Sequence, residues 1–98
     1  MRARSRTYKD YGFQHGEEKY VKYLAREPNY EQRLLLYDAA YEADASIADD
    51  MVYSIVRGIS YENLTKVHYI PINKGDFYSK CKITLALFRD RMKEYGAL

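Results

Sequence analysis

The chain has no tryptophan, one cysteine, two prolines and five glycines among 98 residues, and each scarcity removes a class of protein. The lone Cys81 excludes an internal disulfide, and His15 and His68 lie too far from it in sequence to suggest a metal-ligand spacing. A reducing, cytoplasmic setting fits this usage. Nowhere does an apolar run approach the roughly 18 residues of a membrane span, and the start, Met-Arg-Ala-Arg-Ser-Arg-Thr, has no apolar stretch behind it. Neither secretion nor membrane insertion is expected. No glycine-rich phosphate loop is present. The nearest approach to a β-strand, residues 69–72, is interrupted by Pro71.

Chemistry is equally thin. Asp49 and Asp50 are adjacent, and helical geometry points neighbours about 100° apart, so they form no acid/base dyad. Neither histidine has a sequence neighbour that would make it a general base. Cys81 falls on an apolar stripe and reads as a buried small hydrophobe. No enzyme activity, metal or cofactor is expected.

What the chain does have is tyrosine, twelve in all, so much of its 47% apolar content carries a hydroxyl that needs water or a partner. The core must come chiefly from Leu, Ile, Val, Ala and Met. The length suits one domain. Charge is uneven along it: Arg2, Arg4, Arg6 and Lys9 form a basic start, residues 17–62 hold ten acids against five bases, and residues 63–98 hold seven bases against three acids.

Apolar periodicity predicts an all-α domain over residues 11–98, a bundle of about five helices, preceded by a flexible basic arm over 1–10. Helix 1 is expected at 16–26, stopped by Pro28. Asn29 and Gln32 form a capping-box pattern opening helix 2 at 30–43, whose Leu34, Leu35, Leu36, Ala39, Ala40 and Ala43 mark it as the most buried. Asp44 or Ser46 caps helix 3, which carries Ile47, Ala48, Met51, Val52, Ile55 and Val56 and stops at Gly58. Ser60 caps a short helix 4 with Tyr61, Leu64 and Val67 inward. After a long turn bounded by Pro71 and Gly75, Asp76 is the expected cap of helix 5, with Phe77, Cys81, Thr84, Leu85, Phe88, Met92 and Tyr95 on one face.

A short helix, a turn and an amphipathic helix with a polar outer face make up a DNA-reading helix-turn-helix. On helix 5 the expected outward stripe is Lys82, Arg89 and Lys93, extended by Lys74, Tyr78, Ser79 and Lys80 toward the helix start. These residues would contact phosphates or base edges, with Arg2, Arg4 and Arg6 following a groove. A solvated charged face has the same pattern, and eight residues from His68 to Gly75 exceed the usual three or four of the motif. The other candidate surface is acidic and tyrosine-rich: Tyr37, Tyr41, Asp38 and Glu42 could bind a basic protein channel, as nucleic-acid phosphates would. Ile83 and Leu87, off the main stripe of helix 5, could support a homodimer.

"GISYENL", "YIPINKGDFY" and the helix after them, with "SRTYKDYGF" and "GEEKYVKYL" near the start, resemble small proteins encoded by prophages and integrative elements of Firmicutes. The C-terminal half resembles the helix-turn-helix of phage transcriptional activators and of the promoter-reading region of sigma factors. The resemblance implies "ISYENL" as bracing helix and "DFYSKCK" as the start of the recognition helix, hence a small DNA-binding regulator with duplex DNA as partner. Lys80 and Lys82 stand where paired arginines are common, which favours backbone contact over guanine reading. Mobile elements also encode inhibitors of host proteins, anti-CRISPR proteins among them, so a host protein is the alternative partner.

Overall fold

Pro28 ends one helix, and two residues later the chain is ready to start another. In the computed structural model, which describes residues 8–67 and 69–96, Asn29 Oδ1 accepts from the Gln32 N–H at 2.8 Å and Gln32 Oε1 accepts from the Asn29 N–H at 3.0 Å. This reciprocal box opens α2 (Tyr30–Asp44) directly after α1 (Glu17–Arg26). Gly58, at φ 69°, closes α3 (Ala48–Arg57) by donating to the Ser54 carbonyl at 2.8 Å, a conformation in which a Cβ would be strained. Ser60 caps the five-residue α4 (Tyr61–Thr65), and α5 (Lys74–Glu94) completes the chain. Short 3-10 turns occupy Lys9–Tyr11 and Ala45–Ile47. The described residues are all-α, as the periodicity implies.

Two caps differ from expectation. Asn73, not Asp76, is the N-cap of α5: its Oδ1 accepts from the Asp76 N–H at 2.8 Å, which places Asp76 in the first turn, where its charge suits the helix dipole. Asp44 caps the 3-10 turn rather than α3, accepting from the Ser46 N–H at 3.0 Å. Both caps are Asx side chains meeting a backbone donor two or three residues on, a local pattern that two nearby candidates satisfy equally.

The long helices α2 and α5 pack antiparallel, since Lys80 pairs with Asp44 while Arg91, further along α5, pairs back to Asp38 and Glu42. The small Ala39 and Ala40 permit that close approach. α3 runs antiparallel to α2, since Tyr41 bonds to Asp49 near the turn between them while Arg33, earlier in α2, lines a common groove with Arg57 at the far end of α3. α1 lies against α3, α2 and α5, and the body is 20 Å thin, about two helix diameters. Buried at the centre are Val21, Leu36, Ile47, Met51, Leu64, Phe77, Phe88 and Met92. Thr84 is buried among them, its hydroxyl donating to the Lys80 carbonyl at 2.9 Å.

Some predicted core positions are outside it. Leu34, Val67 and Tyr95 are 53%, 74% and 69% exposed. Val67 and Tyr95 lie past the ends of α4 and α5, where helical periodicity no longer applies. Leu87 is partly buried against the core.

Candidate DNA-facing helix pair and the tyrosine face

α4 has too few residues to be stable alone, and its geometry comes from α5. The Tyr61 N–H donates to the Tyr78 hydroxyl at 2.8 Å, and the Tyr61 hydroxyl donates to the Ile72 carbonyl at 2.5 Å. Phe77 packs between them, its ring centroid 5.4 Å from that of Tyr61 and 5.5 Å from that of Tyr78. The connection between the helices, residues 66–73, is therefore held at Ile72 and at the buried Ile70. Tyr78, expected to face outward, is half-buried and braces α4 instead.

The basic stripe is a larger correction. Arg89, expected on the outer face, is 6% exposed. Its Nη2 donates to the Tyr11 carbonyl at 3.1 Å, its Nε donates to Asp90 at 3.0 Å, and its Nη1 lies 3.5 Å from Glu17 without hydrogen-bond geometry. The guanidinium carbon sits 4.4 Å from the Phe13 ring centroid. Lys93 pairs with Glu17 at 3.2 Å, and the Lys82 amine lies 5.6 Å from the centre of the Tyr8 ring. This face of α5 is thus the seat of residues 8–17. A helical wheel shows which residues share a face; it cannot show that a segment 78 residues away covers it.

The other bases of α5 are also matched. Lys74 pairs with Glu62, Lys80 with Asp44 at 2.9 Å, and Arg91 with both Asp38 and Glu42. Ser79 and Lys82 are half-buried and engaged. The basic C-terminal block and the acidic middle block therefore neutralise one another within the molecule. Arg2, Arg4 and Arg6 lie outside the described residues.

These contacts hold three carboxyls below their ordinary range. For Glu17 the main cause is the Gln14 N–H, for Asp44 the Ser46 hydroxyl, and for Glu62 the Lys74 amine. A carboxyl whose native pKa is depressed contributes stability that is fully present above its unfolded pKa, about 4, and lost as pH falls through the native value. The urea midpoint is expected to be level from about pH 7 to 5 and to decline modestly below about pH 4, because these carboxyls are largely solvent-screened. A midpoint unchanged down to about pH 2 would contradict these assignments.

On the opposite side of α2 from Leu36, Ala39 and Ala40, Tyr30, Leu34, Tyr37 and Tyr41 form a row at i, i+4, i+7 and i+11, exposed by 75%, 53%, 36% and 50%. α2 is thus apolar on two opposed sides. Beside the row, a groove of about 150 Å³ runs between α2 and α3, with Val52 and Val56 lining it together with Tyr37, Tyr53, Arg33 and Arg57. The expected acidic character is reduced here, because Asp38 and Glu42 face Arg91.

Among the described residues no three His, Cys, Asp or Glu side chains come together as a metal site. Burial pushes the Cys81 thiol up to about 12, which keeps it protonated. No helix among them is long and apolar enough to cross a membrane. Set against protein-family models, curated proteins and solved structures, the chain matches none of them.

Proposed function

We propose that the protein binds duplex DNA, with the first two turns of α5 as the approaching helix and α4 as its brace. The observation that carries this reading is where α5 is open. Asn73, Lys74, Gly75 and Asp76 are exposed, while from Cys81 to Met92 one side packs in the core and another seats residues 8–17. The N-terminal residues of a recognition helix are the ones that meet base edges, and the Tyr61 to Tyr78 brace fixes their orientation. Lys74 and Lys80 contact phosphates, with Ser79 beside them. Their pairs with Glu62 and Asp44 are solvent-accessible, worth about 0–1 kcal/mol each, and exchange readily for phosphate oxygens. Arg89 and Lys93 leave the contact set and hold residues 8–17. Lys82 and the arginines at 2, 4 and 6 add positive charge for the phosphate backbone. Such contacts position the protein on the backbone more than they read sequence.

The test is a titration of duplex and single-stranded probes over a range of salt. Affinity is expected to fall steeply with salt, and Lys74→Gln with Lys80→Gln to weaken all sequences alike and to lower the salt slope by about two units, one per lysine. Salt-independent binding, or a slope unmoved by both changes, sinks the proposal.

One observation favours the reading as an inhibitor of a host protein: the row of Tyr30, Leu34, Tyr37 and Tyr41, since tyrosine is enriched at binding hot spots.

A further inference from the structure

We infer that the tyrosine face of α2 and α3 is the contact between two copies of this chain, related by a two-fold axis lying across the groove near Tyr37 and Tyr53. Large apolar side chains scattered singly on a surface need no explanation, but four in register along about 16 Å of one helix do. Tyr53 of α3, 47% exposed, widens the patch. What identifies the occupant is the arrangement of charge along the groove.

One end carries Arg33 and Arg57, and neither makes an ion pair with a described residue; Arg57 lies instead 5.6 Å from the centre of the Tyr53 ring. Beyond the other end, one helical turn before the lining residues Val52 and Tyr53, the exposed Asp49 accepts a hydrogen bond from the Tyr41 hydroxyl at 3.3 Å. Arg33 and Tyr41 are about 12 Å apart along α2 at helical rise. An acidic partner would match the arginines and meet Asp49 with like charge; a basic partner would do the reverse. A second copy turned end for end matches both. A two-fold axis across the groove lays the Arg33 and Arg57 end of one chain over the Asp49 end of the other, with tyrosines meeting tyrosines between them. Such a contact is isologous, so each pairing occurs twice. The contact uses neither α5 nor residues 8–17, so it stands independently of DNA binding, and in a DNA-binding protein it would supply two reading helices per particle.

Sedimentation equilibrium of the full chain without nucleic acid tests this over a micromolar concentration range. The mass is expected to be that of two chains. Leu34→Glu, at an exposed position, is expected to raise the dissociation constant by about a hundredfold or more, because the lost contact counts in both copies, with helicity and urea midpoint unchanged. Arg33→Glu and Asp49→Lys are each expected to weaken the dimer, and the two together to restore it to within about threefold of the original. A single-chain mass at every concentration overturns the inference. So does a dimer indifferent to Leu34→Glu, or a pair of charge changes whose effects add instead of cancelling. Because no nucleic acid is present, failure of DNA binding leaves this result untouched, and a single-chain mass removes the dimer alone.

Discussion

Phe77→Ala is expected to lower the unfolding free energy by about 3–5 kcal/mol, the range for removing a fully buried phenylalanine. The ring has no exposure, and it lies at the start of α5 between the rings of Tyr61 and Tyr78. The cavity would open beneath α4, which has only Leu64 of its own in the core. The loss is therefore expected to be uneven. Amide exchange over residues 61–67 should accelerate well beyond that of α2, because α4 cannot persist once the Tyr61 contacts loosen. Phe88→Ala, also fully buried but in the middle of α5, should cost a similar amount without that local signature. A loss below about 1 kcal/mol for Phe77→Ala would mean that α4 is positioned by other contacts.

Arg89→Ala is expected to cost about 3 kcal/mol and to release residues 8–17 from α5. The guanidinium is the common partner of the Tyr11 carbonyl, Glu17 and Asp90, and it covers the buried Phe13 ring. Without it the Tyr11 carbonyl loses its donor, and Glu17 keeps only the local Gln14 N–H and the exposed Lys93 amine, of which Lys93 alone ties it to α5, and weakly. Arg89→Lys should rescue poorly, since one ammonium cannot span several acceptors as the planar fork does. Limited proteolysis reads the result: cleavage within residues 8–17 should appear while α2 and α5 remain protected. Protection of that segment in Arg89→Ala would show that Tyr8 and Phe13 hold it by packing alone. The DNA-binding proposal makes a contrasting demand, because Lys74 and Lys80 can be neutralised with little effect on the fold while Arg89 cannot.

Arg89 also shows where sequence reading reaches its limit. Lys82, Arg89 and Lys93 do share a face of α5, as 100° per residue requires, but that face is seated against residues 8–17 rather than against solvent or DNA. Tyr78 fails for the same reason: its ring position is legible in the sequence, and its role as acceptor for the Tyr61 N–H depends on how a loop returns one helix to another. The acidic block reads correctly as acidic, yet pairing of Asp38, Glu42 and Asp44 with α5 leaves Arg33 and Arg57 at one end of the tyrosine row and Asp49 at the other. The row itself is legible as Tyr30, Leu34, Tyr37 and Tyr41 at helical spacing. Its exposure is not, since the sequence of α2 is apolar on both sides and does not say which side faces the core.

What the sequence by itself determined is what short-range physics controls. The all-α class, the breaks at Pro28 and Gly58, the caps at Asn29 and Ser60 and the inner stripe of α5 each follow from contacts within a turn or two. Only the tertiary structure decided which faces are covered, because burial depends on segments far apart in the chain whose meeting no local pattern encodes. It turned the basic stripe of α5 inward onto Tyr11 and Glu17, and it left the tyrosine row of α2 facing out.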